Sequence, residues 1–236
     1  MAFLSHIETP QGLRTLARED LAQLCQEIRE FFIESVLKNG GHFSANLGVV
    51  ELTVALHYLF DFQEHKLVWD VGHQAYIHKL LTGRKESFAS IRKKGGLSGF
   101  PKLEESEYDH FGTGHSSTSI SAVMGMAESA LLNGSNRKHI AIIGDGSLTG
   151  GMVFEALNNL GISKADVLVI VNDNEMGIDP NLGAVNQHLN VAGTHRPNFF
   201  ENLNIPYHGP IDGHNLGEVL AALDHQMTVN GPRVLH

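Results

Sequence analysis

The sequence predicts a single α/β domain over residues 1–236, built as a doubly wound, mostly parallel sheet with helices on both faces. Three observations carry that prediction. Residues 139–143 and 167–171 are short, continuous apolar runs rich in Ile and Val, the pattern of central strands buried on both sides. Residues 151–160 between them have helical spacing and complete a βαβ unit. A chain of 236 residues is also long enough to bury one large core.

The elements follow in order. Residues 13–37 place Leu21, Leu24, Ile28, Phe31, Phe32 and Val36 at helical spacing and stop at Asn39-Gly40-Gly41, a helix with a glycine terminator. Residues 49–60 read as a second helix, apolar nearly all round and therefore buried. Lys66-Leu67-Val68-Trp69-Asp70 is a short strand leading into the turn Gly72-His73-Gln74. Residues 85–110 mix Gly95-Gly96, Gly99 and Pro101 with charges at no regular period, and read as a loop-rich excursion near a site, not a core element. Residues 117–132 are rich in small side chains, suited to a helix packed closely on a sheet. Beyond Asp179 the pattern loosens as far as Pro197. A late unit follows, with Ile205-Pro206-Tyr207, Asp212-Gly213-His214 and a helix over 216–227. Arg233-Val234-Leu235-His236 reads as the start of a further strand, so the sequence stops inside an element.

Composition narrows the functional classes. A net charge of −9 argues against nucleic acid as a partner. The one cysteine, Cys25, excludes a disulfide framework and favours a reducing, cytoplasmic setting. No apolar run approaches the ~20 residues that span a bilayer, and residues 1–18 lack the apolar stretch of a signal peptide. Histidine is frequent, at 15 residues, so only histidines inside motifs carry weight.

The informative motifs sit at strand ends. In Ile142-Ile143-Gly144-Asp145-Gly146-Ser147 a strand ends in a carboxylate flanked by glycines, at the edge where open α/β sheets bind ligands. The glycines let the backbone approach an anion, and Asp145 offers a hard oxygen to Mg²⁺. Alone, this motif is equally a structural turn. A second strand ends in Asn172-Asp173-Asn174-Glu175-Met176. If the two strands are neighbours, Asp145 and Asn174 converge at one edge with the oxygen donors an octahedral Mg²⁺ takes.

The paired motifs resemble the signature of thiamine-diphosphate enzymes. Further stretches narrow the resemblance to the transketolase-like 1-deoxy-D-xylulose-5-phosphate synthase family. They are Gly41-His42-Phe43-Ser44-Ala45-Asn46-Leu47-Gly48, Trp69-Asp70-Val71-Gly72-His73-Gln74-Ala75-Tyr76, Gly112-Thr113-Gly114-His115-Ser116-Ser117-Thr118-Ser119 and Gly209-Pro210-Ile211-Asp212-Gly213-His214. The resemblance runs from about Leu13 to the end. It implies thiamine diphosphate and Mg²⁺ as cofactors, with Asp145, the Asn174 side chain and the Met176 carbonyl as metal ligands. It implies that His73, Gly146, Ser147 and Asn174 meet the cofactor and that Gly114, His115 and Ser116 form the loop over it. His42 and His115 resemble the histidines that move protons or orient substrate, a role suited to a side chain titrating near neutrality. The implied reaction condenses pyruvate with glyceraldehyde 3-phosphate, with loss of CO₂, on the way to isoprenoid precursors and thiamine.

Read without the family, each histidine has a plainer role. His42 follows two glycines and could cap the next helix, His73 could be a turn histidine, and His115 could belong to a helix N-cap. Glu155 reads as structural or interfacial, and Arg92-Lys93-Lys94 as a solvated loop face. The resemblance also implies parts that this sequence lacks. These are a pyrimidine-binding domain, in cis or on a separate chain, whose glutamate contacts the aminopyrimidine, a C-terminal domain, and a lysine-rich continuation after His236. Between Leu189 and Phe199 the family carries some tens of further residues, whether lost here by deletion, by natural shortening or by a closed gap in numbering. The expectation is therefore a chain inactive alone, within a homodimeric enzyme. Two alternatives are an N-terminal subunit of another transketolase-type enzyme and a non-catalytic binding or regulatory module.

Overall fold

The computed structural model describes residues 2–176, 179, 181–189 and 198–236. The bridge after Leu189 falls largely outside them. The chain divides into two compact units, each assembled from separated segments: Met1–Gln63, Gly72–Gly112 and Asp212–His225 form the first, and Glu64–Val71, Thr113–Ile211 and Gln226–His236 the second.

In the first unit, α1 (Leu21–Asn39) starts later than its sequence pattern, because a single turn, Pro10–Leu13, and a 3-10 turn, Arg18–Asp20, take up the preceding residues. It buries Leu21, Leu24, Ile28, Phe32 and Val36 and ends at Gly40, whose positive φ of 74° glycine adopts without strain. Helix α2 (Val50–Leu59) is buried almost all round, as its composition requires, and its Glu51 is held by Arg29 from α1.

The excursion over 85–110 is loop-rich, as read, with one 3-10 turn, Phe88–Ser90, but it belongs to the core: Phe88, Ile91, Tyr108 and Asp109 are all buried. Two carboxylates, one buried and one half-buried, substitute for a ladder. Asp109 accepts the backbone N–H of Lys102 at 2.7 Å, and Glu105 that of Ser98 at 2.6 Å. Asp109 also takes two bonds from Arg84, at 2.7 and 2.9 Å, and lies 2.9 Å from His78 Nε2, while Lys79 pairs with Glu105 at 2.5 Å. His78 Nδ1 in turn lies 2.9 Å from His57 Nε2. Because these anchors are charged and aperiodic, no hydrophobic pattern announces them.

The second unit holds the sheet, all parallel, with strands β1 (Lys66–Trp69), β2 (His139–Gly144), β3 (Val167–Asn172), β4 (Tyr207–His208) and β5 (Arg233–Leu235) in the order β1-β2-β3-β5-β4. β5, the last strand in the chain, is thus inserted between β3 and the edge strand β4. Strands β2 and β3 are buried over their apolar lengths, which explains their uninterrupted Ile/Val runs. Helices α3 (Ser119–Leu132) and α4 (Gly151–Leu160) pack against each other, and α3 lies on β1, β2 and β3. No helix among the described residues is long and apolar enough to cross a membrane.

Candidate functional site

In the second unit, β2 and β3 pair in a register that sets Gly144 opposite Asn172. Gly144-Asp145-Gly146-Ser147 and Asn172-Asp173-Asn174 therefore leave neighbouring strands at the same carboxyl edge. Asp145 is buried and opens a single helical turn, Asp145–Leu148. Burial pushes its carboxyl up, against a 3.2 Å bond from Asn181 Nδ2, and the charge of Asp173 pushes it further. Asp173 is held below the carboxylate range by His236, whose Nε2 lies 3.1 Å away, and it accepts the N–H of Glu175 at 2.8 Å. Asn174 and Met176 are exposed, and the Asn174 amide oxygen accepts the N–H of Met176 at 3.1 Å. The triplet thus closes on itself as a tight turn, with Glu175 at φ 61°.

The loop carrying Gly114, His115 and Ser116 is fixed from an unforeseen place. Asp70, at the end of β1 and fully buried, accepts the N–H of Ser117 at 2.7 Å and of Ser119 at 3.0 Å. The carboxylate, not His115, therefore satisfies the first donor of α3. Ser117 sits at φ 70° and donates its hydroxyl to the Ser147 carbonyl at 2.8 Å, joining this loop to the Gly-Asp-Gly turn. Gly150 must be glycine here: a Cβ would stand 2.1 Å from the Ser117 hydroxyl. Gly114 and His115 are exposed, and the His115 ring lies 2.7 Å from the Ser116 carbonyl.

In the first unit, His42 and His73 are brought together, with ring centroids 5.5 Å apart in an edge-to-face arrangement. His42 also meets Tyr76 at 6.1 Å and Phe100 at 6.0 Å, and the Tyr76 hydroxyl lies 3.4 Å from its Nδ1. Burial, with the nearby Arg92 charge, depresses His42 below the ordinary histidine value. Of the basic cluster, Lys93 fits the solvated reading, being exposed and bonded to Asn39 and the Ala89 carbonyl. Arg92 and Lys94 are exposed as well. The Arg92 backbone is left-handed at φ 61°, and its guanidinium acts on Tyr76 and His42. Glu155 is exposed on α4.

Among the described residues, no group of three or more His, Cys, Asp or Glu side chains gathers as a metal cluster. The expected Mg²⁺ set differs in kind, since one carboxylate is joined by an amide and a backbone carbonyl. Three residues that sequence reasoning left without a role stand at these sites: Asn46, Asp70 and His236. Asn46 and Asp70 lie inside quoted motifs, where a buried polar residue beside a glycine turn is the only available signal.

The fold is that of transketolase-like enzymes. The chain superimposes on a transketolase from Campylobacter jejuni with a TM-score of 0.76 at 20% identity, covering 93% of this chain and 37% of that one. It superimposes on a transketolase from Leishmania mexicana with a TM-score of 0.75 at 16% identity, covering 90% and 35%. The family model described as 1-deoxy-D-xylulose-5-phosphate synthase matches residues 4–198 and 192–236. A 1-deoxy-D-xylulose-5-phosphate synthase from Dechloromonas aromatica is 49% identical over 269 positions, covering 99% of this chain and 44% of the relative. One from Cytophaga hutchinsonii is 45% identical over 274 positions, covering 99% and 43%. The chain belongs to the 1-deoxy-D-xylulose-5-phosphate synthase family. It spans less than half the length of these relatives, and the 269 aligned positions exceed its own 236 residues, so the relative carries residues without counterparts here.

Proposed function

We propose that these residues form the diphosphate- and Mg²⁺-binding domain of a 1-deoxy-D-xylulose-5-phosphate synthase. In this reading Asp145, the Asn174 side chain and the Met176 carbonyl hold Mg²⁺. Gly146, Ser147, His73, Gly114, His115, Ser116 and Asn174 contact thiamine diphosphate. The observation that carries the reading is the Gly144–Asn172 register, which sets the two motifs side by side. The donor chemistry fits. Asp145 is a desolvated carboxylate short of positive charge, and oxygen ligands are what Mg²⁺ takes.

When bound, the cofactor supplies a nucleophilic carbon and an electron sink for decarboxylation. The chain's own residues bind and orient. Asp70 and Ser117 keep the 114–116 loop in place, the Gly-Asp-Gly turn leaves room for an anion, and His42 and His115 orient substrate or exchange protons. His42, depressed by burial, is neutral at pH 7 and available as a proton acceptor. The substrates are pyruvate and glyceraldehyde 3-phosphate, joined with loss of CO₂ to feed isoprenoid-precursor and thiamine synthesis. The carboxylate that contacts the aminopyrimidine belongs to a pyrimidine-binding domain, in cis or on another chain, within a cytoplasmic homodimer, so residues 1–236 by themselves bind but do not turn over.

Isothermal titration with thiamine diphosphate tests this. Binding is expected with Mg²⁺ and lost with EDTA, and it is expected to weaken at least a hundredfold in Asp145→Asn. Equal affinity of wild type and Asp145→Asn refutes the assignment. Release of CO₂ from pyruvate, dependent on glyceraldehyde 3-phosphate and on an added pyrimidine-binding domain, tests the reaction.

A further inference from the structure

Asn46 is fully buried, and its carboxamide uses both of its donors and its oxygen. Nδ2 donates one hydrogen to the carbonyl of His42 at 2.7 Å and the other to the carbonyl of His73 at 2.8 Å, while Oδ1 accepts the N–H of Tyr76 at 2.8 Å. An amide nitrogen holds its two hydrogens in one plane at a fixed angle, so these bonds set the spacing of two backbone segments far apart in sequence. Both segments are otherwise weakly defined. Gly41 before His42 is at φ 147°, Gly72 before His73 is at φ 89°, and the turn carrying Asn46, Ser44–Leu47, is four residues long. Neither segment belongs to a strand whose ladder would fix it. A leucine of similar volume would fill the space and leave the buried Tyr76 N–H and two part-buried carbonyls without this partner.

We infer that Asn46 is a positioning residue whose carboxamide sets the edge-to-face geometry of the His42 and His73 rings. The inference rests on the reading that both histidines serve the thiamine-diphosphate site. Tyr76 belongs to the same device. Its N–H is the third bond, its ring faces His42, and a Cβ on Gly41 would lie 2.9 Å from that ring.

The test uses Asn46→Asp, Asn46→Ala and Asn46→Ser in the 236-residue chain. Asp replaces the doubly donating nitrogen with an oxygen facing two carbonyl oxygens, Ala removes all three bonds, and Ser keeps one donor should the others fail to fold. Imidazole Cε1–H resonances are assigned by His→Gln substitution. The expected result is that the His42 and His73 resonances move and their inter-ring NOE is lost, while those of His57 and His78, in the same unit, stay in place. The affinity for thiamine diphosphate with Mg²⁺ is expected to fall at least tenfold. An unchanged NOE in folded variants overturns the inference, as does an equal disturbance of all four histidines, which would make Asn46 merely structural. Wild type that binds no thiamine diphosphate sinks the functional reading instead, and the NMR arm still decides the role of Asn46.

Discussion

Replacing Asp109 by Asn isolates the buried charge cluster that holds the 85–110 segment. The Asp109 side chain is fully buried and that of Arg84 is 6% exposed. Asn keeps the volume but removes the charge that faces two guanidinium nitrogens and His78. Breaking one side of such a pair leaves an uncompensated buried cation, a loss of about 3–5 kcal/mol. The nearest other acid, Glu105, stands 3.7 Å from Arg84 and is already committed to Lys79, so it offsets little. For a chain of this length each kcal/mol lowers Tm by about 2–4 °C, so a drop on the order of 10 °C is expected. Urea and thermal unfolding at pH 7, followed by far-UV circular dichroism, measure it. The companion Arg84→Met/Asp109→Leu variant removes both charges and is expected to be more stable than Asp109→Asn alone. A loss below about 1 kcal/mol for Asp109→Asn, or a double variant worse than the single, refutes the argument.

Asp70→Asn is expected to cost about 1.5–3 kcal/mol, since a charged acceptor of two buried N–H groups becomes a neutral one, and to weaken thiamine diphosphate binding in titration calorimetry. Gly150→Ala is expected to cost about 1–3 kcal/mol by driving a methyl into the Ser117 hydroxyl, and adding Ser117→Gly is expected to restore the melting temperature, because it clears the space and suits φ 70°. Stability is expected to fall in acid. Burial works against both charged forms, but His78 and Arg84 hold Asp109, and the N–H groups of Leu4, Ala2 and Phe3 hold Glu27, below their ordinary values. Carboxylates lower in the folded than the unfolded chain stabilise it fully above about pH 4 and lose that contribution as pH falls. Urea midpoints measured from pH 7 down to 3 check this, and the Glu27→Gln variant is expected to show the shallower decline.

Periodicity locates the strands and, apart from the start of α1, the long helices to within a few residues, because burial on both faces of β2 and β3 leaves a continuous Ile/Val run. It also exposed Gly144-Asp145-Gly146 as a strand end. Sheet order was not legible. Nothing in Arg233-Val234-Leu235 says that it inserts between β3 and β4, yet that insertion is what brings His236 to Asp173. The late start of α1 was missed because apolar spacing continues through Leu13 although the backbone turns at Pro10 and again at Arg18. Asn46 and Asp70 escaped for a related reason. Their partners are backbone N–H and C=O groups, which every residue has, so side-chain pattern carries no record of them. The buried part of 85–110 leaves no mark in the pattern because its anchors are charged and follow no period.

The interleaving of the two units bears on how the chain is made. The first unit takes its last segment, Asp212–His225, from a point some 150 residues beyond Gln63. At about 5–20 residues per second, the ribosome needs roughly 10–30 s to supply it after the amino-terminal helices have emerged. Until then the first unit lacks its last segment, with the Asp224 carboxylate that pairs with Arg18 and the His214 ring that stands beside Glu51. Neither unit can be excised as a contiguous stretch, so truncations that seek a minimal binding module must keep all three segments of whichever unit they aim to preserve.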